Sequence, residues 1–219
     1  MPVVSFASSK GGVGKSTAAA AIASFLADIG ASVHLMDLDP NQTLIEDFDP
    51  PDNVTMSAVT LREFPKAFDA VMKAGKASHL LIDLPGVREV TILKAIQRSD
   101  LVIIPAQHSK PDIREAMQII GDVNDSRRTS GLVIPYRLLF TKVHALMSRL
   151  DAHVEQQVTD GDIDRFNAMM VDRVAYREMF AGGKPAHLRD QKAEAEIREI
   201  VSEIFAASEG GDGNARKAG

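Results

Sequence analysis

Two lysines five residues apart pose the first chemical question. In SFASSKGGVGKSTAAAAIASFL, residues 5–26, an apolar run enters a glycine-rich turn and leaves it as an alanine-rich segment. Gly11, Gly12 and Gly14 relieve the steric limit on φ, so backbone N–H groups on either side of Val13 can turn toward phosphate oxygens. The helix that follows adds the positive end of its dipole. In such a turn Lys15 neutralises the β- and γ-phosphates, the Ser16 hydroxyl ligates Mg²⁺ and Thr17 contacts the α-phosphate. Lys10 has no part in that scheme, and the glycine that commonly opens such a turn is replaced by Ser9.

Carboxylates are spaced to complete the site. HLLIDLPG ends an apolar run with Asp83, and ligands of open α/β sheets bind at the carboxyl ends of strands, where an Asp holds Mg²⁺ through water. VHLMDLDPNQT ends another run with Asp37 and Asp39. Two carboxylates two residues apart in extended chain face the same way, toward one cation or one water. Asp37 then orients the metal shell, while Asp39 positions the water that attacks the γ-phosphate; the alternative is that one of them caps the turn before Pro40.

Positioning these groups requires a sheet. Short apolar runs at Val3–Phe6, Ser32–Met36, His79–Leu84, Leu101–Ile104, Tyr136–Phe140 and Ala168–Val171 read as strands buried on both faces, which is the signature of a parallel sheet. Between them, Ile22, Phe25, Leu26 and Ile29 form one helical stripe stopped by Gly30. A second helix starts near Asp112 after Pro111, and a third covers 193–206 with Ile197, Ile200, Val201 and Ile204 inward and an acidic outer face. The alternation predicts an α/β, doubly wound, mostly parallel sheet flanked by helices. The expected division is one domain over 1–207 and a disordered tail over 208–219.

The 219 residues are 45% hydrophobic and 25% charged, and no apolar run approaches the roughly 20 residues that span a bilayer. With Val3 starting the first strand and no leader before it, the expectation is a cytoplasmic protein. The absence of cysteine excludes thiol catalysis, disulfides and thiolate-held clusters. A net charge of −5 argues against a uniformly basic nucleic-acid binder but leaves a local patch open. The six histidines show no metal-binding spacing.

KGGVGKST with Lys10, DLDPNQT and LLIDLPG together resemble the deviant Walker A ATPases, the P-loop group containing ParA, MinD and nitrogenase iron protein. LVIIPAQHSKPDIREA and VDRVAYREMFAGGKPA resemble two further ParA segments, so the likeness spans most of 2–205. It implies a P-loop fold, ATP and Mg²⁺ as cofactors, and a homodimer that sandwiches two ATP molecules, with Lys10 reaching the partner's phosphates. A cation arriving from the other subunit would act as an arginine finger and couple hydrolysis to dimerisation. Lacking cysteine, the chain does not resemble the iron protein, and its acidic last helix does not resemble the membrane-seeking end of MinD.

The small, plasmid-partition type of ParA is thus the nearest likeness. It implies weak ATPase activity stimulated by a ParB-like or adaptor protein, non-specific DNA binding, nucleoid association and no membrane. Arg127, Arg128, Arg149, Arg173, Arg177, Arg189 and Lys192 are the candidate phosphate-binding cations; Arg173 and Arg177 alternatively hold a helix in place. Where several relatives carry Asn near the adenine pocket, this chain has Thr141, which offers one hydroxyl in place of an amide. The competing functions are a P-loop enzyme acting on a small molecule and a MinD-like membrane-positioning ATPase.

Overall fold

The computed structural model describes residues 1–86, 90–131 and 133–211, with the side chains of 90, 91, 127–130 and 208–211 also outside the description. In chain order the elements are β1 (Val3–Phe6), α1 (Lys15–Asp28), β2 (Val33–Asp37), α2 (Thr43–Asp47), β3 (Val54–Ala58), α3 (Phe64–Ala74), β4 (His79–Asp83), α4 (Val90–Ile96), β5 (Leu101–Ala106), α5 (Lys110–Ser130), β6 (Tyr136–Phe140), α6 (Arg149–Asp160), α7 (Val174–Glu178), a 3₁₀ turn (Ala186–Leu188) and α8 (Gln191–Gly211). The strands form one sheet in the order β3-β2-β4-β1-β5-β6, and every pairing is parallel. The doubly wound parallel sheet read from the sequence is therefore present.

Alternate side chains of each strand enter opposite cores. Val4, Phe6, Leu35, Leu81, Ile103 and Leu139 pack under α1 and α8. Val3, Met36, Leu80, Ile82, Ile104 and Phe140 pack against residues of α3, α4, α5 and α6. Sandwiched between the sheet and α8, α1 buries Ala18 to Ala21 and Ala23 completely, which explains its alanine content: larger side chains on that many faces would push the layers apart. The amide of Gly30, at φ 93°, bonds to the Ala27 carbonyl and that of Ala31 to Leu26, closing α1 in a left-handed C-terminal turn.

Two expected boundaries move. Ala168–Val171 is not a strand: Met170 N donates to Phe140 O and Val143 N to Met170 O, but the N–H groups of Asn167 and Ala168 donate to the Glu203 carboxylate instead of a ladder. Only isolated bridges, Leu138 to Arg165 and Val143 to Val171, survive along this edge. The helix placed at 193–206 runs to Gly211, so the boundary at 207 falls inside α8; residues 212–219 of the expected tail lie outside the described part. No helix among the described residues is long and apolar enough to cross a membrane.

Candidate nucleotide site

The turn between β1 and α1 emerges at the carboxyl edge of the sheet beside β4 and β5, where crossovers leave β1 on both sides and open a crevice. Gly12 and Gly14 have φ of 76° and 95°, values that an L side chain rarely adopts. Gly14 is the N-cap of α1 with no side-chain cap, so the first helical N–H groups remain free for an anion. An added Cβ on Gly14 would make ordinary contact with Thr141, 3.4 Å from its Cβ, so it is the φ that calls for glycine there.

Buried Thr141 donates its hydroxyl to Val13 O at 2.6 Å, and Lys142 Nζ donates to Gly12 O at 2.7 Å. The strand end after β6 thus fixes the shape of the glycine turn. The single hydroxyl that Thr141 has in place of an amide donates to the loop, and Thr141 also lines the neighbouring cleft. That cleft, about 470 Å³, lies between Gly14 and Thr17 on one side and Met170, Tyr176 and Phe180 on the other, a largely apolar wall suited to a planar base.

Lys15 is buried, and its ammonium lies 3.4 Å from the Lys10 carbonyl, a long contact that leaves its charge available to a phosphate. Ser16 Oγ donates to Asp83 Oδ2 at 2.6 Å. Asp83 and Asp37 are register partners at the ends of adjacent strands, and both are buried. Asp37 Oδ1 accepts the Asp39 amide at 2.9 Å, but Asp37 Oδ2 and Asp83 Oδ1 have no protein partner. Burial pushes the Asp83 carboxyl up to about 7 despite the Ser16 hydrogen bond and the Lys15 charge, and it raises Asp37 as well.

Two orphaned carboxylate oxygens beside a serine hydroxyl fit a hard divalent cation. Among the described residues no three His, Cys, Asp or Glu side chains converge into a cage. A serine hydroxyl with two carboxylate oxygens is the donor set Mg²⁺ favours, since it keeps waters and takes its remaining ligands from phosphate. Asp39 is half-buried and accepts the Asn41 amide at 2.9 Å, so the turn after β2 is capped by both aspartates in succession. One oxygen of each remains for other work.

Lys10 stands apart from this cradle. Its side chain is about half exposed, and its ammonium pairs with Asp112 of α5. The turn after β4 presses against the same stretch: a Cβ on Gly86 would lie 3.2 Å from Gly11 N and 3.3 Å from Lys10 C, which accounts for glycine at the end of LLIDLPG.

The candidate DNA cations divide. Arg173 donates through Nε and Nη2 to Glu196 and lies 3.6 Å from Asp190, while Tyr176, its phenol pushed up by burial beside Glu196, donates to the same carboxylate. Arg173 therefore holds the segment before α7 onto α8, the second of its two expected roles. Arg177 pairs with Asp172, and both line the cleft beside Gly14 and Thr17. Arg189 pairs with Glu178 at 2.8 Å, whereas Arg149 and Lys192 are exposed at helix starts. The side chains of Arg127 and Arg128 lie outside the described part.

The CobQ/CobB/MinD/ParA nucleotide binding domain matches residues 4–186, and the chain belongs to this family. Protein ParA of Rhizobium radiobacter is 30% identical over 197 residues, which is 88% of each chain. Among solved structures, apo McdA from Cyanthece aligns with a TM-score of 0.75 at 15% identity, over 93% of this chain and 99% of that one. Cobyrinic acid a,c-diamide synthase from Mycobacterium smegmatis, with a bound ATP analog and magnesium, aligns at 0.74 with 20% identity over 94% of each. These two likenesses are of fold.

Proposed function

We propose that the chain is an ATP-dependent switch: a nucleotide-bound homodimer that binds DNA without sequence preference and hydrolyses ATP to partition or position DNA or a protein cargo. The observation that carries this reading is the division between the two lysines. Lys15 is buried behind the glycine turn and serves the phosphate cradle, whereas Lys10 projects from the same turn, half exposed, with its ammonium on α5. A second cation at the mouth of a complete phosphate site is of use to a second subunit. The similarity to a protein named ParA, across nearly the whole length of both chains, supports the same reading.

In this assignment the N–H groups of Gly11 to Thr17 and the Lys15 ammonium hold the phosphates. Ser16, Asp37 and Asp83 hold Mg²⁺, directly or through water. Asp39 orients the attacking water, and Lys10 delivers its charge to the partner's phosphates. Bound ATP and Mg²⁺ supply the γ-phosphate and the charge that distinguish the closed dimer from the open monomer. Intrinsic hydrolysis is slow and is accelerated by a ParB-like or adaptor partner. Arg127, Arg128, Arg149, Arg177, Arg189 and Lys192 are the cations offered to DNA, in the cytoplasm and on the nucleoid, by one domain.

The test is retention on DNA with ATP, ADP or no nucleotide, at low and moderate salt, with Lys10→Ala alongside. Binding that appears with ATP alone, weakens with salt and disappears in the variant is the expected result. Absence of DNA binding in every nucleotide state overturns it in favour of a small-molecule enzyme or a membrane-positioning ATPase, which liposome binding separates.

A further inference from the structure

The two residues that open the glycine turn are both tied to the first turns of α5. Ser9 Oγ donates to Glu115 Oε2 at 2.5 Å, and the Lys10 ammonium donates to Asp112 Oδ1. Asp112 and Glu115 stand three residues apart on one face of the helix, so successive loop residues meet successive carboxylates. Asp112 is almost fully buried; its second oxygen accepts the Gln107 amide at 3.1 Å, and its own amide donates to Ser109 Oγ at 3.2 Å. The carboxylate is thus fixed in place by the loop before α5, and Lys10 is the cation paired with it.

We propose that Asp112, assisted by Glu115, is a positioning residue that latches Lys10 to its own subunit in the nucleotide-free protein and surrenders it when phosphates arrive. The proposal rests on the reading of Lys10 as a charge delivered to a partner. A lysine with a free ammonium would be available to a second subunit at all times. Held by a buried carboxylate, it must break a charge-assisted hydrogen bond before it can cross, and Asp112 loses its counter-charge when it does. Closure is then favourable only where the Lys10 ammonium meets a stronger anion than one carboxylate, and a nucleoside triphosphate with three phosphates is such an anion. Ser9 contributes by holding the start of the turn to the same helix, so that loop and lysine are released together. Glycine at position 9, the common occupant of that place, could make no such bond.

Two measurements on the full chain test the latch. The first is the rate at which an amine-acylating reagent modifies Lys10 in the nucleotide-free protein, read by mass spectrometry against exposed Lys66. Lys10 is expected to react several-fold more slowly than Lys66, and Asp112→Asn, which keeps the acceptor for the Gln107 amide, is expected to bring it level. Equal rates in the wild-type protein overturn the latch. The second is the dissociation constant of the ATP dimer by sedimentation for the wild type, Asp112→Asn, Glu115→Gln, Lys10→Ala and Lys10→Ala/Asp112→Asn. Asp112→Asn is expected to tighten the dimer about tenfold and Glu115→Gln by less, from the loss of one charge-assisted bond in the open state. The Asp112 substitution should have no effect once Lys10 is gone, which a merely structural role of Asp112 would not produce. A looser dimer in folded Asp112→Asn shows that the carboxylate aims Lys10 productively and overturns the latch. If Lys10→Ala dimerises as well as the wild type, the crossing role of Lys10 fails instead, and the labelling rates alone decide whether Asp112 restrains it.

Discussion

The carboxyl edge of the sheet and the seam between α8 and the end of β6 carry similar charges and treat them oppositely. At the seam, Glu203 accepts from Arg137 and from the amides of Asn167 and Ala168, while Glu196 accepts from Arg173, Tyr176 and the Val171 amide. Each carboxylate there is saturated. At the sheet edge, Asp37 and Asp83 are more deeply buried, yet each retains an oxygen with no partner, and Lys15 has one long contact. Saturated charges hold segments together; unsaturated buried ones are unstable until something fills them, and that is what marks a binding site.

Substitutions can break this contrast from either side. Lys15→Ala should have the largest effect, weakening ATP binding by about 1000-fold, the scale for removing a desolvated charge partner, while circular dichroism stays native. Retained nucleotide affinity would show that the unsaturated edge is not the phosphate site. Asp39→Ala should slow hydrolysis about 100-fold and accumulate an ATP dimer, as loss of a water-orienting group does. Hydrolysis at the wild-type rate, measured by phosphate release, would remove Asp39 from that role.

At the seam the sign reverses. Glu196→Ala strands Arg173, Tyr176 and the Val171 amide, and should lower stability by about 3 kcal/mol in urea unfolding. A variant as stable as the wild type would mean the seam's saturation contributes nothing. The smallest effect concerns His187, which stacks edge-on against Phe25 with Asp28 3.8 Å away and Glu194 also near. Burial holds its imidazole below the ordinary 6.5 against the pull of those carboxylates. The folded state thus binds fewer protons than the unfolded one below that value. The stabilisation is complete above pH 6.5 and is lost as pH falls toward the folded value, with a slope of at most about 1.4 kcal/mol per pH unit. His187→Gln should flatten part of that slope in unfolding midpoints taken from pH 7.5 to 5; an unchanged slope assigns it to His34, His79 and His108, which burial also lowers.

The glycine turn was legible because its chemistry is contiguous: Gly11 to Thr17 must be adjacent to wrap one phosphate chain, and an apolar strand and an alanine helix flank them. Asp37 and Asp83 were legible for a related reason, since each ends an apolar run and parallel strands bring such ends together. Asp112 and Glu115 were not. They lie about a hundred residues from Lys10 and read as ordinary acidic residues of a helix's first turns, a placement the helix dipole alone explains. Lys142 was equally hidden, because nothing in its neighbourhood announces a contact with Gly12. Ala168–Val171 was misread because an apolar run signals burial without saying which acceptor takes its amides, and Glu203, thirty-five residues on, takes one of them. The strand β3 escaped for the opposite reason: VTMSA, at the sheet's edge, is half polar.

The register of β2 on β4 sets Asp37 opposite Asp83. A strand slipped by one residue would still find hydrogen-bond partners, but it would turn every side chain to the other face and separate the two carboxylates. The pairing that packs Leu35 and Met36 into the two opposite cores is therefore the same one that sets the carboxylates side by side. Any ligand held by that pair of carboxylates would add its binding free energy to the native register alone.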